Sequence, residues 1–131
     1  MMQLLLFTEN TDTRSTVDEI LQKENISTTI TSVSSHSQTL NQLERNRFDI
    51  VVLESTPHPR NSFELLQKIK MRFPSIPVLM LSLNNRRAFA IQAMRLNAQG
   101  FLTNDRITSE FADAVKSIRL GRCYMTTELT A

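Results

Sequence analysis

The chain has 131 residues, 40% of them hydrophobic, with 15 basic and 13 acidic side chains and a formal charge of +2. Such a length suits one domain that buries about two-thirds of its unfolded surface, and a charge so near balance excludes a nucleic-acid signature carried by net charge. The single cysteine, Cys123, excludes an internal disulfide and fits a reducing compartment. Met1 to Phe7 has no basic leader and too short an apolar run for a signal peptide or membrane span, so a cytoplasmic location is expected.

In chain order, Gln3 to Phe7 reads as a strand closed by the polar cluster Thr8 to Thr13. Val17, Ile20 and Leu21 give helical spacing, with Asn10 or Thr11 as N-cap. Ile26 to Val33 is β-branched and reads as an edge strand, and Ser35 or Ser37 caps a second helix carrying Leu40 and Leu43. The run Ile50-Val51-Val52-Leu53 without polar alternation is a strand buried on both faces, and Glu54 closes it. A Pro-rich loop follows, then a helix with Phe63, Leu66, Ile69 and Phe73, capped by Asn61 or Ser62 and stopped by Pro74. Pro77 to Ser82 is a further buried strand. Asn84-Asn85 caps a helix containing Phe89, Ala90, Ala93, Met94 and Leu96, and Phe101 to Thr103 is a short fifth strand. Thr108 caps a last helix with Phe111, Val115 and Ile118 inward and Ala112, Lys116 and Arg119 outward, ended by Gly121. Strict alternation of five strands and helices predicts a parallel sheet with right-handed crossovers and helices on both faces. Ligand chemistry in such sheets sits at the carboxyl ends of the strands, where Glu54 stands.

Five βα units, a carboxylate ending strand three and a hydroxyl ending strand four resemble a response-regulator receiver domain, of the NarL/FixJ type that precedes a LuxR-type helix-turn-helix. The phrases Phe73 to Ser82 and Ala93 to Asp105 carry the resemblance, as does the tail Arg119 to Leu129. It implies a flavodoxin-like (βα)5 sandwich with strand order 2-1-3-4-5, a receiver-like domain over 1–121, and in 122–131 the start of a linker toward a DNA-binding domain outside this chain.

The family's phosphoacceptor aspartate falls on Glu54, whose longer side chain in such proteins often imitates the phosphorylated state. The acidic pair that holds magnesium falls on Thr8 and Glu9, the invariant lysine on Asn104, the switch hydroxyl on Ser82 and the switch aromatic on Phe101. Phosphoryl transfer depends on a metal and a cation to neutralise the transferring oxygens. These departures predict a degenerate receiver that needs no phosphorylation and no magnesium cofactor. If Glu9 and Glu54 end strands about 4.8 Å apart, their repulsion is about 3 kcal/mol at an effective dielectric near 20. Relief is expected from protonation of one acid, a divalent ion, Arg60, Arg86 or Arg87, or splaying into solvent.

His36 and His58 have no partner at metal-ligand spacing and read as a helix-start and a loop residue. Two glycines, Gly100 and Gly121, cannot build a phosphate-cradling loop. The clusters Arg45 to Arg47, Lys68 to Arg72 and Arg86-Arg87 read as solvated faces. Tyr124-Met125-Thr126-Thr127 is a candidate ligand segment, because some biofilm regulators with degenerate receivers bind cyclic di-GMP through W-[F/L/M]-[T/S]-R at this place. Here Tyr124 replaces the stacking Trp and Thr127 the phosphate-binding Arg.

The expected function is a phosphorylation-independent regulatory and dimerisation domain of a bacterial LuxR-type transcription regulator. The expected partner is a second copy, through the first and last or the fourth and last helices. A regulatory ligand or protein partner is also allowed, and DNA is met only through the missing helix-turn-helix. The alternative is a sensor of a cyclic dinucleotide or metal at the Glu9/Glu54 pocket or the Tyr124 segment. An acid/base enzyme using Glu9 and Glu54 lacks a nucleophile and an orienting residue.

Overall fold

The central run becomes a strand buried along its whole length, Ile50–Glu54, and the other elements pack around it. The structure, a computed structural model, describes residues 1–55 and 59–126. Its elements are β1 (Met2–Phe7), α1 (Thr11–Lys23), β2 (Thr28–Val33), α2 (His36–Arg45), β3 (Ile50–Glu54), α3 (Pro59–Arg72), β4 (Val78–Ser82), α4 (Arg87–Arg95) and β5 (Gly100–Thr103). A 3-10 turn (Asn104–Arg106), α5 (Ile107–Arg119) and β6 (Tyr124–Met125) complete the described chain. No helix of the described residues is long and apolar enough to cross a membrane.

The sheet is parallel throughout, in the order β2-β1-β3-β4-β5-β6. Its first five strands give the expected flavodoxin-like order 2-1-3-4-5. Successive residues of one strand enter opposite cores, the consequence of a side-chain period of two. Leu4, Leu6, Ile50, Val52, Leu79, Leu81 and Leu102 face α1 and α5, packing on Val17, Leu21, Phe111 and Val115. Leu5, Phe7, Val51, Leu53, Val78, Met80 and Phe101 face the other helices, packing on Leu43, Leu65, Leu66, Ile69, Ala90 and Ala93. Both sheet faces are therefore covered, which is why the central strands read as unbroken apolar runs.

A sixth strand, which the sequence does not predict, lies within the first residues after Gly121. Tyr124 N–H donates to the Gln99 carbonyl at 2.9 Å and Thr126 N–H to the Phe101 carbonyl at 2.8 Å, so the sheet runs past the expected boundary at Gly121. Gly100 makes the approach feasible. A Cβ there would stand 2.7 Å from Leu79 Cδ1, 2.8 Å from Ile118 Cδ1 and 3.3 Å from the Tyr124 carbonyl oxygen.

Helix ends are set locally. Asn10 and Ser35 cap α1 and α2, accepting from the N–H groups of Asp12 and Gln38. The other three starts differ from expectation. Helix α3 begins at Pro59, before Asn61 and Ser62, consistent with proline having no N–H to lose in a first turn. Asn84 accepts instead from Arg86 N–H, one residue ahead of α4, and α5 grows directly out of the 3-10 turn, placing Thr108 inside it. Helices α1, α4 and α5 all end in the same way, with Asn25, Asn97 and Gly121 at positive φ of 56°, 70° and 82°. At each, paired N–H groups return to the last turn, as from Gly121 to Ile118 and Arg122 to Ser117. Asparagine tolerates this left-handed position better than other residues with a Cβ, and the sequence reading had assigned it only to Gly121.

Two side-chain placements also change. Ala112, expected outside, is buried in the core beside α1. Lys70, expected among solvated bases, is buried, because Leu66, Ile69 and Phe73 put it on the inward stripe of α3. Its ammonium donates to the Ile76 carbonyl at 2.7 Å and lies 3.4 Å from Gln99 Oε1. Desolvation by burial lowers its pKa.

Candidate functional site

The site lies at the carboxyl ends of β1, β3 and β5 and is built around Glu54, which is only 8% exposed. Pairing of Phe7 with Leu53 across β1 and β3 carries Thr8 alongside Glu54. The Thr8 hydroxyl is 2.6 Å from Glu54 Oε1 and accepts from Asn10 N–H at 2.9 Å. The one hydroxyl proton has a second acceptor in reach, the Asn10 carbonyl at 3.0 Å, and the shorter contact assigns it to the carboxylate. Thr13, in the first turn of α1, donates its hydroxyl to Glu54 Oε2 at 2.8 Å. Asn104, opening the turn after β5, places Nδ2 3.3 Å from the same oxygen. The acidic side chain thus receives neutral donors from three separate parts of the chain.

This arrangement replaces the expected two-carboxylate problem. Glu9 is exposed, and Glu54 is satisfied by hydroxyl and amide donors. None of the expected arginines supplies a counter-charge. Arg60 pairs with Glu64 at 3.6 Å, Arg86 and Arg87 are exposed at the start of α4, and among the described residues Glu54 is in no ion pair. Thr13 was missed, although it stands four residues before Val17 on the inward stripe, where the helical period points it at the sheet.

The donor set does not fit magnesium, which takes hard oxygen ligands, commonly carboxylates, in a strict octahedron. Beside Glu54 stands the Thr8 hydroxyl, neutral and already bonded to it, and the next residue, Glu9, is exposed. No group of three His, Cys, Asp or Glu side chains suited to a metal gathers among the described residues.

The remaining predicted site residues are spread around this centre. Ser82 is buried at the end of β4, but its hydroxyl closes on its own loop, accepting from Asn84 N–H at 3.0 Å and donating to the Asn84 carbonyl at 2.9 Å. Ser55, which the sequence reading passed over, fastens β3 to the same loop by accepting from Leu83 N–H at 3.2 Å. Phe101 is fully buried against the α2–α4 side. The Asn104 side-chain oxygen Oδ1 and the Thr103 hydroxyl are buried without a hydrogen-bond partner among the described residues. His36 is the first residue of α2, edge-on to Phe7 with ring centroids 6.1 Å apart. His58 and Thr127 lie outside the described residues.

Tyr124 and Thr126 meet a residue the sequence reading did not single out. Glu110 of α5, itself buried, accepts from the Tyr124 hydroxyl at 2.6 Å and the Thr126 hydroxyl at 3.2 Å. Desolvation, the hydrogen bond to Glu110 and the charges of Glu110 and Asp113 push the Tyr124 phenol up to about 12. A cavity of about 360 Å³ beside the site is lined by Thr8, Glu9, Arg14, Ser32, Ser34 and Gln38, among others.

Comparison with known proteins gives this geometry a setting. The sequence profile of the response regulator receiver domain matches residues 4–116. The transcriptional regulatory protein DegU of Brevibacillus brevis is 22% identical over 88 residues, which is 67% of this chain and 37% of DegU. The chain therefore spans little more than a third of that curated relative. The isolated receiver domain of RcsB from Salmonella enterica serovar Typhimurium, in the apo form, superposes with a TM-score of 0.84 at 14% identity, covering 96% of this chain and 93% of that one. A LuxR family DNA-binding response regulator from Silicibacter pomeroyi gives 0.83 at 19% identity, covering 98% of each. A structure of two RcsB dimers bound to two parallel DNAs gives 0.81 at 14% identity, covering 95% of this chain and 64% of that one. These structural likenesses show the fold, and the profile, spanning most of the sequence, shows the family: the chain belongs to the response regulator receiver domains.

Proposed function

We propose that this receiver domain regulates without aspartyl phosphorylation, as the dimerising input module of a LuxR-type transcription regulator. The observation that carries the reading is the occupied carboxylate. Both oxygens of Glu54 are bonded to Thr8, Thr13 and Asn104, so neutral donors stand where phosphotransfer needs a metal and a cation. The glutamate is held in one arrangement by the protein's own groups, which supports a conformation that no phosphoryl group has to select.

The dimer reading is supported by the neighbouring first and last helices, α1 and α5. Lys116 of α5 pairs with Glu24 at the end of α1 at 3.7 Å. Beside this pair a groove of about 500 Å³ is lined by Ile26, Val115, Lys116, Arg119 and Leu120, and Leu120 is 72% exposed. An apolar side chain so exposed, next to an apolar groove, suits a second copy. The relatives whose names include LuxR and DNA binding favour a regulator of transcription as the setting.

One experiment tests both parts. Treatment with acetyl phosphate and magnesium should add no phosphoryl mass to the intact protein and leave its mass by light scattering at that of a dimer. A phosphoryl adduct on an acidic residue would overturn the first part, and a monomer before and after treatment the second.

A further inference from the structure

The contact between α5 and the end of the described chain is unequal in a way that suggests a device. The backbone pairing of β6 is minimal, two residues with N–H···O bonds from Tyr124 and Thr126. A strand so short on a sheet edge has little stability of its own. The side chains supply what the backbone lacks. The buried Glu110 carboxylate takes the Tyr124 hydroxyl on Oε1 and the Thr126 hydroxyl on Oε2, and Arg106 Nε lies 4.0 Å from Oε2. Hydrogen bonds to a charged acceptor are about twice as strong as neutral ones.

The path into β6 runs over the surface. Gly121 sits at φ 82°, and Gly121, Arg122 and Cys123 are all exposed. Little apolar surface holds the strand down. Tyr124 is only partly buried against the α1/α5 core, and Met125 is 40% exposed.

We propose that Glu110 is a latch, holding Tyr124–Thr126 on the edge of β5 and releasing it as a unit while the five-stranded body stays folded. Closed, the latch fixes the direction in which the chain leaves the domain and ties it to α5, one wall of the apolar groove at Leu120. Open, it bares the outer edge of β5 and lets the chain beyond Gly121 reorient. A shift of α5 by one residue's contacts therefore reaches whatever follows Thr126 through a single carboxylate. This inference does not depend on the fate of Glu54.

The sequence offers a clean reporter, because Tyr124 is the only tyrosine and there is no tryptophan. The experiment uses the whole 131-residue chain with Glu110→Gln and, as a milder variant that keeps the carboxylate, Tyr124→Phe. Amide exchange by NMR should accelerate about tenfold at Tyr124 and Thr126 in both variants. Exchange at Val51 and Ser55, whose N–H groups bond to Pro77 and Leu81 inside the body, should not change. Ultraviolet titration should find the wild-type phenol ionising near 12 and the Glu110→Gln phenol returning toward the ordinary 10. Unchanged exchange at Tyr124 and Thr126 would overturn the latch. Equal acceleration at Val51 and Ser55 would also overturn it, since Glu110 would then be part of the global fold.

Discussion

Glu54 and Glu110 are both buried carboxylates served by hydroxyl donors, but they fasten different amounts of chain. Glu54 joins β1, α1 and the turn after β5 to β3, contacts that span 41 to 50 residues of sequence. Glu110 joins α5 to a strand only 14 to 16 residues further along. Cutting the first bond set loosens the ends of three elements around the central strand, whereas cutting the second frees a two-residue edge. The same chemistry thus yields a structural clamp in one place and a releasable catch in the other. The difference lies in how much of the fold depends on each.

Glu54→Ala breaks the comparison most directly. It leaves the Thr13 hydroxyl and the Asn104 amide without their acceptor and turns the Thr8 hydroxyl back to the Asn10 carbonyl, and should destabilise the fold by about 3 kcal/mol. Urea unfolding would show it as a lower midpoint at constant slope. A smaller effect from Glu54→Ala than from Glu110→Ala would invert the assignment of clamp and catch.

Gly100→Ala tests the ground between them. The added methyl must displace Leu79 and Ile118 and crowd the Tyr124 carbonyl, a cost of about 1–3 kcal/mol for overpacking. The two side chains can rotate away, but the Tyr124 backbone cannot without lifting β6. The expected signature is a lower urea midpoint together with faster amide exchange at Tyr124.

The smallest effect is the most selective. Tyr124 has its folded pKa raised from 10.0 to about 12, so below pH 10 its contribution is fully present. Between those values the unfolded chain loses its proton first, and stability falls as pH rises. Lys70 has its pKa lowered from 10.5 by burial and acts in the opposite sense. Just below 10.5 the folded chain releases the ammonium proton before the unfolded chain does, so stability rises with pH there. Urea midpoints measured across the alkaline range should lose the fall in Tyr124→Phe and lose the rise in Lys70→Met.

Much of this molecule is legible in its sequence. The unbroken apolar runs at Ile50 to Leu53 and Val78 to Leu81 read as strands buried on both faces, and alternation of strands with helical stripes predicts a parallel sheet, whereas the sheet order came from the family resemblance. The centre at Glu54 was legible from its position at a strand end, but its partners were not. Thr13 reads as an ordinary polar residue in a first turn, although its spacing to Val17 carried the signal. Lys70 was misplaced for the opposite reason, since its charge outweighed its position between Ile69 and Phe73 in the reading. Tyr124 to Thr126 lacked any apolar run or turn pattern of its own, and only an edge already made by β5 and a carboxylate already placed by α5 give it a structure.

The sequence by itself determined the five strands and five helices of the receiver fold, most of the faces they bury, and that Glu54 closes the central strand. Local period and side-chain chemistry suffice for that. Only the tertiary structure decided that Glu54 is bonded to neutral donors, that Glu9 faces outward, that Lys70 is buried and that Glu110 holds a sixth strand. Each of these depends on which atoms come within 3.5 Å after the chain has closed on itself across tens of residues, and hydrogen bonding at that range is fixed by packing, not by sequence neighbours.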